Sequence, residues 1–517
     1  LYSDMMVKVI SMPQVNIGNV LDVTVKSKTT RKEIPQQFWD EIPYPVVPTK
    51  YVRHTYILSE KLNIDFKSYK GDFKPLVEKK NGKVKYSFIF KETLSLNDEE
   101  LTPPADEVNG GIFLSSIKDW KQVADWYRGL MNKNTVEFAQ ITSKVEALIK
   151  NKTTQKDKAR AILEFIQDNF RYVAMNFGDH LIEPHPTDEV YKERYGDCKD
   201  LGLLTRQMFK SAGIKSNMIL MNSEFSGNPK NALPSPSMFE HVILEADLDG
   251  EKYFIDPQTK GFDFGQFPSN YDNSNLFIIE DEAYRFDHLP VEPQENRSLV
   301  SKSDVELIPE GGAIFTVHVK LPVEASQAFR SQWSAVTDQD KLKFFENLEA
   351  NFGHGGTMLS HEVTGVDKRY GPIEFDLKYQ SPNAYPIVND MLLIKEADQG
   401  DIPDFAANKR ILPIFYPSNS LIQNTNTYHV PAGFKIDFIP ANYMLDIDFA
   451  QVSADYHQSD DAVIVNSIYR LKRARIEPQR YNEVKQFRQE LYKKSDQYIV
   501  LKKKSQASPA AKDWINK

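Results

Sequence analysis

The chain has 517 residues, of which 41% are hydrophobic, 12% aromatic and 26% charged. This composition excludes a disordered, collagen-like or low-complexity protein, and the length predicts about three domains. The 64 basic and 72 acidic residues give a net charge of −8 without basic tracts, which argues against binding to nucleic acid or to an anionic membrane. No apolar run approaches the ~18 residues of a membrane-spanning helix, so a membrane-spanning protein is not expected.

The chain contains a single cysteine, Cys198. One cysteine excludes an internal disulfide and any metal site built from several cysteines. A lone cysteine is most often a small buried apolar residue, so its neighbours must decide its role. Residue 1 is leucine rather than methionine, which predicts a processed or trimmed chain. Any signal peptide would have been removed with the missing start, so its absence does not argue against export.

Changes in the sequence pattern predict three domains. Residues 1–108 contain β-strand patterns, one of which follows the turn signal Asn81-Gly82. Residues 109–294 combine helical stripes with strand runs and form the predicted core. Residues 295–517 return to a β pattern, with clean alternation over residues 373–379 and two helices, one of them after Pro478. We expect a β-sandwich-like domain on each side of the core.

Three amphipathic helices are predicted at the start of the core. Ser116 is placed to cap the first, whose apolar stripe includes Trp120 and Tyr127. The second contains Ile141, and the third begins after Thr154. We interpret these stripes as faces that pack in the core rather than as part of a cofactor site.

The residues around Cys198 favour a reactive thiol over a buried structural one. The following segment, with Leu201 and Leu204 on one stripe, predicts a helix that stops at Gly213. Cys198 then lies at or near the helix N-terminus, where the backbone stabilises an anion and favours thiolate over thiol. Its immediate neighbours are charged, and Gly196 is interpreted as the residue that permits a tight bend.

A cysteine nucleophile needs a base and a group that orients the base. Residues 239–246 and 251–256 predict two strands joined at Asp249-Gly250. With the loop at 249–250, Asp256 faces Ile243, and His241 is a diagonal neighbour at roughly 7–8 Å between Cα atoms. A loop shifted to 248–249 would place His241 directly opposite Asp256. Both registers put the two residues on one face, whereas a three-residue loop would separate them.

Several motifs within residues 155–260 resemble the core of bacterial transglutaminase-like proteins. They are Phe170-Arg171-Tyr172-Val173, Glu183-Pro184-His185-Pro186 and Tyr195-Gly196-Asp197-Cys198-Lys199-Asp200, followed by Phe239-Glu240-His241 and Phe254-Ile255-Asp256-Pro257. The flanking β regions resemble the two domains of unknown function that bracket this core in Bacteroidetes-type envelope proteins. This resemblance implies an exported protein, periplasmic or in the cell envelope, whose signal has been removed. The resemblance implies an α+β fold, with a papain- or transglutaminase-like core between two mainly-β, sandwich-like domains.

The resemblance also implies roles for individual residues. Cys198 would be the nucleophile, His241 the general base and acid, and Asp256 the residue that orients the imidazole. The oxyanion would accept a hydrogen bond from the backbone N–H of Cys198. Tyr172, in the Arg-Tyr element of the family, is a weak candidate for the second donor, and a tyrosine packed in the core is the favoured interpretation. No cofactor is expected.

The leading hypothesis is cysteine-dependent acyl transfer on protein or peptide amides. Hydrolysis is favoured over transamidation because bacterial members of this superfamily are more often regarded as proteases. The substrate would be a protein or peptide, with an envelope glycan or a peptidoglycan peptide as further options. The alternative is a non-catalytic binding or scaffold protein of the cell envelope that retains the fold.

A metal site is the third hypothesis. His180, Glu183 and His185 offer two imidazoles and a carboxylate. The prolines at 184 and 186 make a helical presentation unfavourable, and the spacing fits no standard zinc motif. We therefore do not expect a bound metal.

Overall fold

The computed structural model describes residues 11–12, 15–20, 24, 34–93, 99–174, 181–351, 356–396 and 408–504. The chain folds into two compact units. The first comprises residues 1–98, 103–260 and 273–290, and the second comprises 99–102, 261–272 and 291–517. Helices and strands both contribute, which confirms the predicted α+β class with a mixed core between β-rich regions. The domain boundaries near residues 108 and 294 remain predictions.

Two three-stranded antiparallel sheets form the N-terminal part of the first unit. Apolar side chains from both sheets, including Ile42, Phe88 and Ile112, pack into one core. The predicted turn Asn81-Gly82 joins the fourth and fifth strands, and both residues have positive φ, 52° and 70°. The strands are β1 (Trp39–Pro43), β2 (Thr49–Ser59), β3 (Asp65–Tyr69), β4 (Leu76–Lys80), β5 (Lys83–Thr93) and β6 (Gly111–Ser115), in the sheet orders β1-β6-β3 and β2-β5-β4.

Helices follow in the same unit, and their starts depend on short-range caps. The first long helix is capped by Asp119, which accepts a hydrogen bond from the N–H of Gln122 at 2.9 Å. The predicted cap, Ser116, is wrong, because the helix begins four residues later and the hydroxyl oxygen of Ser116 instead accepts the N–H of Phe38 at 2.8 Å. Thr154 caps the third long helix, as predicted. The helices are α1 (Ala105–Val108), α2 (Trp120–Asn134), α3 (Ala139–Ile149), α4 (Gln155–Asn169), α5 (Thr187–Glu193) and α6 (Cys198–Ser211).

A five-stranded antiparallel sheet supports α6. Ten of the 14 residues of α6 are buried, as expected of a helix that packs against its neighbours over most of its surface. Gly202 allows the helix to approach the sheet, since a Cβ atom there would lie 3.3 Å from side-chain atoms of Met218 and Val242. The strands are β7 (Arg171–Tyr172), β8 (Tyr195–Gly196), β9 (Ser216–Asn222), β10 (His241–Leu248), β11 (Glu251–Ile255), β12 (Asn275–Ile279) and β13 (Tyr284–His288); the sheet order is β11-β10-β9-β12-β13, and β7 pairs with β8.

The second unit is built mainly from strands. Its largest sheet has eight strands in the order β16-β17-β15-β14-β21-β25-β24-β23, and a four-stranded sheet has the order β18-β19-β27-β22. These are numbered along the chain as β14 (Ser298–Leu307), β15 (Ala313–Lys320), β16 (Thr357–Thr364), β17 (Glu374–Ser381), β18 (Ile387–Val388), β19 (Met391–Lys395), β20 (Ile414–Tyr416), β21 (Ser420–His429), β22 (Phe434–Phe438), β23 (Tyr443–Ile447), β24 (Ala450–Ser459), β25 (Ala462–Leu471), β26 (Ala474–Ile476) and β27 (Tyr498–Lys503).

This unit has one more helix than predicted. The two expected helices are α8 (Asp338–Asn351) and α9 (Tyr481–Ser495), and an additional helix, α7 (Val323–Trp333), precedes them. The sequence signal for α7 is weak because its aromatic residues, Phe329 and Trp333, are only partly buried against the sheet core. Within the described ranges, no helix has the length and apolar character needed to cross a membrane.

Candidate active site

Cys198 is the first residue of α6, as predicted, and its side chain is partly exposed. The preceding Asp197 caps the helix by accepting a hydrogen bond from the N–H of Asp200, and Asp200 reciprocates by accepting from the N–H of Asp197 at 3.1 Å. The first N–H groups of a helix have no carbonyl partner within it. The backbone N–H of Cys198 is therefore presented at the same end of the helix as the thiol.

Gly196 is required for a different reason from the one predicted. It does not have a positive φ, so the interpretation as a tight-bend glycine is wrong. A Cβ atom at this position would lie 2.7 Å from the Cβ of Asp200, closer than two carbon atoms can approach. Glycine at position 196 thus leaves space for Asp200, whose carboxylate takes part in capping the helix that begins at Cys198.

His241 and Asp256 are brought together by the β10–β11 hairpin. Leu244 pairs with Ile255 and Leu248 with Glu251, so the loop is Asp249-Gly250. This is the first of the two registers considered, and the shifted register is wrong. Both loop residues have positive φ, 58° and 89°, as a tight two-residue hairpin loop requires. Nε2 of His241 lies 3.0 Å from Oδ2 of Asp256.

The carboxylate of Asp256 is held by the turn that follows it. The hydroxyl of Thr259 donates to Oδ2 at 2.6 Å, and the N–H of Gln258 donates to Oδ1 at 2.9 Å. Sequence reasoning missed Thr259. Its signal was available in the Asp-Pro-x-Thr pattern, because an aspartate before a turn commonly accepts hydrogen bonds from the residues two or three positions on.

The environment favours an imidazolium opposite a carboxylate. Burial alone would lower the pKa of His241, but Asp256 and the hydrogen-bonded Cys198 side chain together raise it to about 10. Burial alone would raise the pKa of Asp256, but the charge and hydrogen bond of His241 hold it below its usual range. Because Nε2 is engaged by Asp256, Nδ1 is the ring nitrogen left for Cys198. The structure thus brings the three predicted residues into one connected group.

Tyr172 lies beside this group and is not a core residue. In the short parallel pair of strands β7 and β8, Tyr172 pairs with Gly196, which lies two residues before Cys198 in the chain. The side chain of Tyr172 is 48% exposed, so the favoured interpretation as a packed core tyrosine is wrong. Partial burial and the nearby Cys198 raise the pKa of Tyr172 to about 12, which keeps its hydroxyl protonated as a hydrogen-bond donor.

A buried charged network surrounds the start of α6, and sequence reasoning did not anticipate it. Lys199 is 3% exposed and its ammonium contacts the carboxylate of Asp197, which is 4% exposed. On the other side, Nδ1 of His185 lies 3.1 Å from Oδ2 of the fully buried Asp200. Such charges are tolerated in a core only when each is paired, so the network holds the N-terminal turn in one geometry.

The hypothetical metal ligands are engaged elsewhere. His185 bonds to Asp200, and Glu183 accepts a hydrogen bond from Lys133 at 2.5 Å. His180 lies outside the described residues. Among the residues that the structure does describe, no cluster of three or more His, Cys, Asp or Glu side chains could hold a metal ion.

Tyr127 of α2 lies beneath the site. Its ring is fully buried in the core, as the apolar stripe predicted. Its hydroxyl has no hydrogen-bond partner within the described part of the chain. Burial and the nearby groups of Cys198, Asp197 and Asp200 raise the pKa of Tyr127. The hydroxyl of Tyr127 therefore stays neutral in the buried region next to Cys198.

Comparisons with known proteins place the site in a matched domain. Residues 138–284 match a family model described as a transglutaminase-like domain (DUF553). Residues 1–93 and 387–501 match two domains of unknown function with solved structures, DUF3857 and DUF3858. No curated protein matches the chain.

Two solved structures resemble the chain. A protein from Parabacteroides distasonis, described as a "putative protease", is 12% identical with a TM-score of 0.60, over 92% of this chain and 76% of that one. A protein from Cytophaga hutchinsonii, described as a "putative cysteine protease", is 12% identical with a TM-score of 0.23, over 50% of this chain and 94% of that one. Only the first likeness supports a shared fold. The chain therefore contains a transglutaminase-like domain, flanked by an N-terminal DUF3857 domain and a C-terminal DUF3858 domain.

Proposed function

We propose that this protein is a cysteine-dependent hydrolase of protein or peptide amides. The observation that carries the proposal is the connected group in which Cys198 begins a helix and hydrogen-bonds to His241, whose Nε2 lies 3.0 Å from the buried Asp256. A helix N-terminus and an adjacent imidazolium both stabilise a thiolate. The transglutaminase-like domain match and the description of the neighbouring structures support the same general class.

The proposed reaction proceeds through a thioester. The thiolate of Cys198 attacks the amide carbonyl carbon and forms a tetrahedral oxyanion. The imidazolium of His241 donates its Nδ1 proton to the leaving amine, and the C–N bond breaks. The now neutral His241 then accepts a proton from a water molecule, whose oxygen attacks the thioester. The carboxylic acid product leaves, and Cys198 returns as the thiolate opposite the imidazolium.

Two donors are proposed for the oxyanion. The backbone N–H of Cys198 lies at the open end of α6, where no helical carbonyl accepts it. The hydroxyl of Tyr172 is the second, because it is partly exposed beside Cys198 and stays protonated. Donors aimed at the developing charge typically contribute about 10²–10³ in kcat each.

Hydrolysis is preferred over transamidation, and catalysis over a scaffold role. The word protease in the descriptions of the neighbouring structures favours water as the acceptor. The partly exposed Cys198 favours an enzyme, since a non-catalytic scaffold has no need of an accessible thiol. The location in the cell envelope remains a prediction.

The test is covalent labelling of the full chain with a thiol-directed peptide probe, followed by turnover of casein. Cys198→Ala should abolish labelling, and His241→Gln should slow it strongly. His429→Gln is a matched control, because Nε2 of His429 lies 2.9 Å from Asp304 in an exposed pair of the second unit. Equal labelling of the two histidine variants would contradict the proposed base.

A fluorescent primary amine added to the casein reaction separates the two acceptors. New peptide N-termini without amine incorporation are expected, and both products should vanish in Cys198→Ala. Amine incorporation without cleavage would contradict hydrolysis and leave the triad intact. A wild-type chain that neither labels nor turns over would contradict the enzyme and favour the scaffold.

A further inference from the structure

A second cleft, of about 480 Å³, lies within the first unit between the N-terminal sheets and the five-stranded sheet. Four asparagines, Asn228, Asn231, Asn273 and Asn275, contribute to its lining, together with Tyr69 and His288. Its volume falls in the range of small-molecule pockets, roughly 300–1,000 Å³. None of Cys198, His241 and Asp256 lines it.

The cleft is separate from the candidate active site but close to it along the sheet. Asn275 pairs with Asn222, and the adjacent Met221 pairs with His241. Asn275 and His241 therefore lie near the same end of the sheet, on two strands that flank β9. Two strand spacings, roughly 10 Å, separate their backbones.

The asparagine amides offer both donors and acceptors to the cleft. Nδ2 of Asn273 donates to the carboxylate of Glu224 at 2.8 Å, and Nδ2 of Asn275 donates to the carbonyl of Gly227 at 3.3 Å. Carboxylate and carbonyl oxygens only accept hydrogen bonds, so each of these two asparagines directs its NH₂ group toward that partner. The Oδ1 atom of each side chain then remains as an acceptor. Asn275 is 6% exposed, so its amide is largely buried at the cleft wall.

The remaining two asparagines supply donors. Oδ1 of Asn228 accepts the N–H of Lys230 at 2.9 Å, which leaves its NH₂ group available. Asn231 is exposed, and its amide has no partner within the ranges described. A ligand that donates and accepts hydrogen bonds at several points, as a set of hydroxyl groups does, satisfies this lining.

An aromatic ring is held rigidly in the same wall. Tyr69 stacks on Phe113 with ring centroids 4.8 Å apart and an interplanar angle of 27°. Its hydroxyl donates to Glu41 at 2.8 Å, which fixes the ring orientation. A rigid aromatic side chain presents contact area at low entropic cost, and its face suits the C–H surface of a pyranose ring.

The lysine and glutamate side chains that line the cleft are equal in number. Lys67 and Lys70 are matched by Glu107 and Glu224 in the lining. A site for phosphate, nucleic acid or another anion would carry an excess of basic residues. The balance favours an uncharged ligand.

We propose that this cleft binds a neutral oligosaccharide, with the asparagines bonded to its hydroxyl groups and Tyr69 stacked on a ring. A peptide with apolar side chains is less suitable, because such side chains need apolar pockets, and the aromatic residues in this lining are Tyr69 and Phe113 among mostly polar ones. The proposal stands independently of the hydrolase, since no catalytic group contributes to the cleft.

The test uses calorimetric titration of the full chain carrying Cys198→Ala, which prevents any turnover. Chitotetraose, cellotetraose and maltotetraose are the probes, and saturable binding of at least one is expected. Asn231→Ala should weaken that binding about fivefold and Tyr69→Ala about tenfold, as loss of a hydrogen bond and of a ring contact predicts. Asn231 is exposed, so its variant keeps the fold even if Tyr69→Ala does not.

Matched controls lie outside the cleft. Asn132→Ala removes an exposed asparagine of α2, and Tyr51→Ala removes an exposed tyrosine of β2. Both should bind the saccharide as the parent does. Absence of saturable binding to all three saccharides, equal affinities of Asn231→Ala and Asn132→Ala, or binding of an uncharged peptide alone would each overturn the proposal.

Discussion

Nε2 of His241 lies 3.0 Å from Oδ2 of Asp256, and the hairpin that joins their strands has only two loop residues. The pair is nearly closed to solvent, with exposed side-chain fractions of 14% and 1%. A hydrogen bond between charged groups is stronger when water is excluded from it. The orientation of the imidazole toward Cys198 therefore depends on a short local structure.

Asp256→Asn should lower kcat/KM for casein cleavage by roughly 10³-fold or more. The N–H of Gln258 holds the side-chain oxygen of residue 256, so the new NH₂ group would face Nε2 of His241 and could neither hold the required tautomer nor stabilise the positive charge. The melting temperature serves to show that the chain remains folded. Asp247→Asn is the control, since Asp247 lies on the same hairpin and accepts the N–H of Gly250 at 3.0 Å, with no contact to the imidazole among the described residues. Comparable activity of the two variants would falsify the orienting role of Asp256.

The loss of kcat/KM at high pH should reflect the deprotonation of His241. A histidine is protonated below its pKa, and here Asp256 and Cys198 raise that pKa to about 10 against the effect of burial. Protonation of the leaving amine should therefore persist through neutral pH, and kcat/KM should fall only as the pH rises through about 10. In Asp256→Asn the residual activity should decline at lower pH, since the main cause of the shift is gone. Superimposable profiles would argue against this assignment.

Gly196→Ala should destabilise the chain by roughly 1–3 kcal/mol, because the new methyl group overlaps Asp200 and displaces the helix cap. Labelling of Cys198 should slow as well. Gly129→Ala is a matched control on α2, where a Cβ atom meets nothing within 4 Å. That helical substitution should raise the melting temperature slightly. If both alanine variants were equally stable, the close approach at Gly196 would not matter.

Lys199→Met should cost roughly 3–5 kcal/mol in unfolding free energy, measured by urea denaturation, because it leaves the buried carboxylate of Asp197 without its cation. In the unsubstituted protein, burial and the neighbouring Asp200 raise the pKa of Asp197 to about 6 although Lys199 acts in the opposite direction.

The double variant Asp197→Asn with Lys199→Met should recover much of that loss, since asparagine still caps a helix and carries no charge. Lys121→Met, which removes an exposed ion pair with Asp125, should change stability little. A double variant as unstable as Lys199→Met alone would indicate that packing around Lys199, rather than its charge, is what matters.

Features that depend on neighbouring residues were predictable. The start of α6 at Cys198 and the Thr154 cap follow from short-range capping, and the positive φ of Asn81-Gly82 follows from turn chemistry. Errors occurred where a distant segment competes for a side chain. Ser116 failed as a helix cap because its hydroxyl oxygen accepts the N–H of Phe38, which is far away in sequence.

By itself the sequence determined that the one cysteine begins a helix and that His241 and Asp256 share one face of a hairpin, because capping and two-residue alternation act over a few residues. Only the tertiary structure decided which hairpin register forms and that Thr259 supports Asp256. It also decided that Cys198 reaches His241, since α6 packs on β9 and β10 through Gly202. The asparagine cleft likewise draws on segments far apart in the chain. Such contacts are set by the packing of whole apolar faces, which no local pattern specifies.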